Sequence, residues 1–390
     1  MEHYDYVIAG AGAAGLSLVS EMLNSELSNK RILILDPAQK NKNDRTWCFW
    51  EKSLPSNLTN VPVRQWETLR FIGLDFDKKF NLNPFLYTMV PGIKFYQSKL
   101  AEIKQFKNVV FKQAAVTEVI DTDKGVIIMG EDFDVKADWF FDSRPPEIKP
   151  ENPKYSYLKQ HFLGWVIQTE TELFDPAVPT LFDFRTPQAG AMRFFYMLPF
   201  SKREALVEYT LFSEELLTEE DYQTAIRVYL EEQLGLEKYS IVDQEQGVIP
   251  MTDQPLPRKL GEHWMAIGTR GGRVKPSSGY AFLRILRDAQ AIVVSLVEYG
   301  HPFDLPKNPA RYGLFDSIML EVMRTHPNEM AGIFTILFQK SPIQRIFNFL
   351  DENNSLWEDI QLIASLPRKP FLQALGWVAR RKIFGKKSNT

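Results

Sequence analysis

The chain has 390 residues, 44% hydrophobic and 24% charged, and its 46 Lys and Arg nearly balance 49 Asp and Glu, for a net charge of −3. That composition suits two or three globular domains, each with its own core, and gives no electrostatic reason to expect nucleic acid as a partner. A single cysteine, Cys48, excludes an internal disulfide and a cysteine-built zinc site.

The opening Met1-Glu2-His3-Tyr4-Asp5 has no basic start of a secretory signal. No apolar run reaches the roughly 18 residues that span a bilayer. A cytoplasmic location is expected, with the chain free or lying on a membrane. Tyr6-Val7-Ile8-Ala9 is apolar without alternation, which suits a strand buried on both faces. Gly10-Ala11-Gly12-Ala13-Ala14-Gly15 follows. Leu16, Val19, Met22 and Leu23 then recur at helical spacing. Arg31-Ile32-Leu33-Ile34-Leu35-Asp36 is a second buried strand, closed by Pro37. This is one βαβ unit.

Residues 61–95 are different, with short aromatic segments broken by Pro62, Pro84 and Pro91. Further strands are expected in 109–112, 116–120, 125–129 and 137–142. Pro145, Pro146 and Pro150 then suggest a linker. From 155 to 213 the pattern is all β, with strands at 162–168, 180–184, 192–198 and 205–212. Thr218-Glu219-Glu220-Asp221 has the cap and acidic first turn of a helix. Gly247-Val248-Ile249-Pro250 and Trp264-Met265-Ala266-Ile267-Gly268 look like a return to the first domain. Beyond His301 the chain turns helical, and Ser341-Pro342 reads as a cap and first helical residue.

The glycine motif carries the first chemistry. Gly10 permits a tight turn, Gly12 lets backbone approach a pyrophosphate, and Gly15 lets the helix pack on the strand. Ala11 and Ala14 belong to the same cradle, where helix-start amides hold phosphate charge. Asp36 ends the next strand, where a carboxylate can accept hydrogen bonds from a ribose. An NAD domain would continue with further βαβ units. Here the unit is interrupted by antiparallel segments and resumes late, an arrangement that favours FAD. The late segment from Gly268 to Gly279 combines a glycine turn, Pro276 and a second helix start, able to set amides against an anionic flavin.

Glu208 is the candidate catalytic residue. Alternation places Leu206, Glu208, Thr210 and Phe212 on one strand face. A carboxyl among apolar neighbours keeps its proton and can act as an acid. Aromatic residues are 13% of the chain, and their faces can stabilise a carbocation. The five histidines, His3, His161, His263, His301 and His326, lack ligand spacing, so no metal is expected. Near the C-terminus, Ile343, Ile346, Phe347 and Leu350, then Phe371, Leu372, Leu375, Trp377 and Val378, precede Arg380, Arg381, Lys382, Lys386 and Lys387. Apolar helix faces with a basic tail suit an anionic lipid surface.

With these residues the chain resembles the flavoprotein type of the lycopene beta-cyclase family. Asp44-Arg45-Thr46-Trp47-Cys48-Phe49-Trp50 is similar to the family's His-Thr-Trp-x-Phe segment, with Arg45 for the histidine. Leu206-Val207-Glu208-Tyr209-Thr210 is similar to its acidic Leu-Glu-Glu-Thr motif, with Tyr209 for the second acid. Val274-Lys275-Pro276-Ser277-Ser278-Gly279-Tyr280 is similar to Val-His-Pro-Thr-Thr-Gly-Tyr, with Lys275 for the histidine.

The resemblance implies an α/β fold. It has a Rossmann-like FAD-binding domain (flavin hydroxylase-like, GR2-type), an inserted antiparallel β substrate domain and a C-terminal helical region. The expected division is 1–60, 96–150 and 245–300 for FAD, 61–95 and 151–244 for substrate, and 301–390 for a helical, membrane-associated region. It also implies acid-initiated cyclisation of lycopene to beta-ionone rings, with Glu208 as acid or cation stabiliser. Gly10, Ala11, Gly12, Ala14, Gly15, Asp36, Arg45, Gly268 and Gly279 would hold reduced FAD, with NADPH as electron source. The expected partners are carotenoids and the cytoplasmic face of a membrane. The rival reading is a flavin-dependent monooxygenase or reductase of an isoprenoid, on the same fold.

Overall fold

The strand Glu2–Ala9 contains the apolar run at 6–9 and lies inside a sheet, as an unalternating pattern requires. The computed structural model describes residues 1–384, with side chains to Lys382, so Lys386 and Lys387 lie outside the described residues. Glu2–Ala9 pairs in parallel with Ile32–Leu35 on one side and Phe133–Asp142 on the other. Val109–Lys112 extends the parallel part, Gly125–Gly130 and Glu118–Thr122 add antiparallel strands, and Trp264–Ala266 runs beside Phe133–Asp142. The helix Ala13–Leu23 packs on this sheet with Phe282–Tyr299 and Gly92–Ile103. Gly15 permits that packing: a Cβ there would strike the Gly10 carbonyl and come within 2.9 Å of Ile8 Cγ2.

A second sheet runs in the order Tyr239–Thr252, Tyr157–Thr169, Glu204–Ser213, Met192–Pro199, Thr180–Asp183, Thr68–Gly73, Phe76–Asn81. It is mostly antiparallel. Here the structure departs from the sequence reading, because residues 247–250 do not return to the first sheet. They belong to Tyr239–Thr252, which pairs with Tyr157–Thr169 along its whole length. This is an edge strand, so Pro250 is tolerated and Ile241, Val242 and Val248 stay exposed. The periodicity that would betray a strand is therefore weak. The return comes later, at Trp264–Ala266. Thr46–Glu51, Leu86–Pro91 and Arg64–Trp66 form a small third sheet between the two.

The two faces of the second sheet are covered differently. Ala205, Val207, Tyr209 and Leu211 point towards the helix Glu219–Val228, in a core where Phe195 stacks on Tyr229 at 3.7 Å. Thr218 caps that helix, accepting from the Asp221 amide at 3.2 Å. The opposite face packs against the C-terminal helices Ala310–Thr325, Met330–Lys340, Ile343–Leu350, Leu356–Ala364 and Arg368–Phe384. Phe71 stacks on Phe338 at 4.1 Å and Trp50 on Phe347 at 4.4 Å. The expected serine cap before Ile343–Leu350 is not made: Pro342 is the capping residue and Ser341 Oγ has no partner among the described residues.

Phe338 joins the helical region to the sheet, and it is almost fully buried. Phe338→Ala should cost about 3–5 kcal/mol of stability, the usual loss for emptying such a site. Urea unfolding of the purified protein reads this as a lower midpoint with an unchanged slope.

Candidate active site

The first sheet, the second sheet and the C-terminal helices enclose one cavity of about 820 Å³. At the first sheet its wall is the glycine turn. Gly10 has φ +106°, and its amide donates to Leu35 O at 2.7 Å. A Cβ on Gly10 would strike the Ser143 hydroxyl, whereas nothing stands within 4 Å of a Cβ on Gly12. Gly12 therefore opens on free space. Ala14 lines the same wall. Ala11 and Gly15 do not line it. Ala11 is fully buried and its amide donates to Asp36 Oδ2 at 2.7 Å, while Gly15 packs below the turn.

Asp36 lines the cavity at the end of its strand, with Lys40 Nζ at 3.2 Å and the Ala38 amide donating to Oδ1 at 2.8 Å. Its carboxylate thus shapes the turn as well as facing the cavity. Arg45 sits on the rim, half exposed and paired with Asp44 at 3.3 Å. Gly268 has φ +59°, and a Cβ there would lie 2.8 Å from Ala14 Cβ, so the late segment docks directly on the first helix start. Gly279, at φ +73°, also lines the cavity, as do the starts of helices Ala13–Leu23 and Phe282–Tyr299. Ser278 Oγ is buried with no partner among the described residues. An open glycine cradle, two helix starts, a carboxylate at a strand end and a spare hydroxyl fit an FAD-type dinucleotide. Lys275 is not in this wall. Its ammonium is buried between Asp316 and Glu352, each at 3.0 Å.

Glu208 lies in the same cavity, on the second sheet. As the alternation required, Leu206, Glu208, Thr210 and Phe212 share a face, and Thr210 Oγ1 donates to Glu208 Oε1 at 2.6 Å. Tyr209 points the other way, stacked on Phe195 at 4.9 Å. What exposure Glu208 has is to the cavity. Burial pushes its carboxyl well above the ordinary carboxylate range, and the neighbouring Glu245 pushes in the same direction. Glu245 is itself raised by burial; Thr46 Oγ1 donates to its Oε2 at 2.7 Å.

The wall around this carboxyl is neutral and aromatic. The Tyr87 and Tyr196 hydroxyls are 2.7 Å apart. Burial raises both phenols and that of Tyr280, and pushes the Cys48 thiol up to about 12. These groups stay un-ionised at neutral pH. Trp50 meets Tyr280 edge-on at 4.6 Å, and Phe194, Phe212 and Phe347 continue the lining.

The structure therefore brings Gly10, Gly12, Ala14, Asp36, Arg45, Gly268, Gly279 and Glu208 to one cavity, from segments up to 269 residues apart. Sequence reading did not find Glu245, Tyr196 or Tyr280. Tyr280 stands inside the segment Val274 to Tyr280 that resembles the family. Glu245 sits on an edge strand with little periodicity, where no local signal marks it.

The two-sheet arrangement with the glycine cradle at one wall is a flavoprotein fold. The structure is similar to a geranylgeranyl bacteriochlorophyll reductase-like protein from Thermoplasma acidophilum, with TM-score 0.67 and 12% identity over 97% of this chain and 100% of that one. It is also similar to a probable FAD-dependent monooxygenase from Pseudomonas aeruginosa, with TM-score 0.52 and 12% identity over 90% and 100%. At such identities the likeness is one of fold.

Sequence narrows the class. The family described as lycopene cyclase protein matches residues 5–376, and the chain belongs to it. It is 26% identical to the lycopene beta-cyclase of Pantoea ananas, over 72% of this chain and 71% of that protein. It is 24% identical to a chloroplastic neoxanthin synthase of Solanum tuberosum, over 76% of this chain. The match covers 61% of the length of that plant relative.

Gly12 gives a clean test of the cradle. Its φ of −84° and ψ of −165° are open to any residue, and a side chain there meets no protein atom. Gly12→Val should fold with an unchanged melting temperature when flavin-free. It should fail to retain FAD through gel filtration, read by absorbance.

Proposed function

We propose that this protein is an FAD-dependent lycopene beta-cyclase that works at a membrane surface. The observation that carries the reading is the position of Glu208. It is a carboxyl that holds its proton in an aromatic cavity continuous with a dinucleotide cradle.

Glu208 donates its proton to the terminal double bond of lycopene, leaving a tertiary cation. The neighbouring double bond attacks that cation and closes a six-membered ring. Loss of a ring proton gives the beta-ionone end, so atoms and electrons balance without net oxidation. The rings of Tyr196 and Tyr280 stabilise positive charge through their negative quadrupoles. The apolar wall keeps out water, which would otherwise trap the cation. Neutral Cys48 is a weaker nucleophile than its thiolate. Gly10, Gly12 and Ala14 would hold the pyrophosphate, and Asp36 would orient the adenosine ribose. Arg45 at the rim would face the cofactor's phosphates, and Gly268 and Gly279 would let backbone approach its ring system. When bound there in its reduced form, with NADPH as electron source, FAD supplies a fixed negative charge beside the cation.

An insoluble hydrocarbon must come from lipid, and the cavity wall points to a route. Ile363, Leu372 and Leu375 line the cavity and are also exposed on its outer side. Leu356, Trp357, Ile360 and Trp377 are exposed on the same two helices. Among the described residues no helix is long and apolar enough to cross a membrane. These helices would lie in the cytoplasmic leaflet's interface, with Arg380 and Lys382 towards anionic headgroups.

Lycopene and NADPH, incubated with the flavin-loaded protein without oxygen, should yield cyclised pigment with no NADPH consumed in proportion to product. Consumption matched to product would instead support an isoprenoid reductase. Glu208→Gln should keep FAD and lower turnover by about 10²-fold or more; an active variant would remove Glu208 from the role.

Burying one large apolar side chain contributes about 1.5–3 kcal/mol. The double change Trp357→Ser with Leu372→Ser should therefore weaken sedimentation with anionic phospholipid vesicles at least about tenfold. Equal binding of both proteins would move the lipid contact elsewhere.

A further inference from the structure

Gly164 lies in the middle of Tyr157–Thr169, and the residues opposite it on both flanking strands are glutamates. Glu208 is its partner on one side and Glu245 on the other. Cross-strand partners share a face of the sheet, so both carboxyls rise on the cavity side of one glycine. A Cβ at 164 would lie 2.9 Å from Leu206 Cδ1, 3.3 Å from Glu208 Cβ and 3.4 Å from Glu208 Cγ, so a side chain there would crowd Glu208. Glycine weakens a strand interior, and here it leaves room for two acids to lean together.

A second feature distinguishes the two. Glu245 lines a smaller cavity of about 340 Å³ on its other side, with Asn43, Asp243 and Gln244. Met89, Val166, Phe200 and Leu206 line it too, but Asp243 and Gln244 are exposed and bring its rim to solvent. Glu208 lines only the large, apolar cavity.

We infer that Glu208 and Glu245 hold one proton between them, with Glu245 as the positioning residue that adds to burial in keeping Glu208 protonated and connects the pair to water. The inference rests on the proposed role of Glu208 as acid. Donation to substrate leaves the pair with no proton and two charges beside the cation. The proton shed by the ring carbon returns to it, so no further reactant is needed. Two carboxyls at close range cannot both ionise cheaply, which separates their titrations.

Burial is the larger cause of the raised Glu208 carboxyl, and the other groups around the pair bring no charge to it. Thr210 and Thr46 donate to the two carboxyls. Tyr196 faces Glu208 from the next strand, and Cys48 and Tyr280 face it across the cavity; all three stay neutral. Asp44 and Asp243 act on Glu245 and raise it further. Among the described residues, Glu245 is thus the one carboxyl acting on Glu208 from within the sheet.

The test uses the oxidised, flavin-loaded protein and follows the carboxylic acid C=O stretch by infrared titration, beside the pH profile of pigment cyclisation. Wild type should show a protonated buried carboxyl through neutral pH. Glu245→Gln removes the negative neighbour, so Glu208 ionises at lower pH. Both the infrared midpoint and the alkaline limb of the rate should fall by about one pH unit or more. Glu245→Asp should restore both. If Glu245→Gln loses its flavin, infrared titration of the flavin-free wild type and variant makes the same comparison. An unshifted midpoint in Glu245→Gln, or an Asp variant that behaves like the Gln one, overturns the pairing. A shared proton in a protein that makes no cyclised pigment would instead defeat the cyclase reading alone.

Discussion

Desolvation of the Glu208 carboxyl is the constraint around which the molecule is arranged. A carboxylate left in apolar surroundings without a cation partner is costly, so the group stays neutral instead. The described structure places no lysine or arginine against it; its near neighbours are Thr210 and Glu245. Several cations elsewhere are paired: Lys275 between Asp316 and Glu352, Arg258 on Asp288, Arg311 on Asp359. Ionic pairing is kept out of the one place where it would hold a carboxyl ionised. A proton poised for donation requires that exclusion as much as it requires the acid.

The same constraint explains the division of labour between the sheets. A parallel βαβ turn presents free amides at helix starts, which suit phosphate. An antiparallel sheet presents alternate side chains, which suit a wall that is core on one face and cavity on the other. Ala205, Val207, Tyr209 and Leu211 close the second sheet onto its helix, and Glu208, Thr210 and Phe212 are left for the cavity. Neither architecture could supply both walls. The C-terminal helices close the third side with apolar residues such as Phe347, Leu362 and Phe371.

Local chemistry makes much of this legible in the sequence. The glycine turn needs Gly10 and Gly15 for steric reasons that spacing reveals. Period-two alternation places Glu208 on the same face as Thr210, where the structure has it. The capping box at Thr218 and Asp221 is likewise a local signal. Pairing between strands distant in sequence has no such local mark. Tyr239–Thr252 is an exposed edge, so its apolar and polar residues do not alternate, and residues 247–250 resemble a strand of the first sheet although they pair in the second. Glu245 is hidden for that reason. Its importance comes from register, through Gly164, and a one-residue slip would turn it to the other face.

Register also answers the question raised by Tyr209. The family motif sets two acids side by side, and here the second is a tyrosine. Adjacent residues on a strand point to opposite faces, so an acid at 209 would enter the core beside Phe195 and Tyr229 rather than join Glu208. Its replacement by an aromatic residue completes that core and removes nothing from the cavity. A carboxyl partner for Glu208 has to come from a neighbouring strand, at a cross-strand position on the same face. Met192–Pro199 offers Tyr196 there, and Tyr157–Thr169 offers only Gly164. The glycine passes the position on to the next strand, and Glu245 occupies it. On this geometry the acid motif of the strand is half of a pair whose other half lies two strands away.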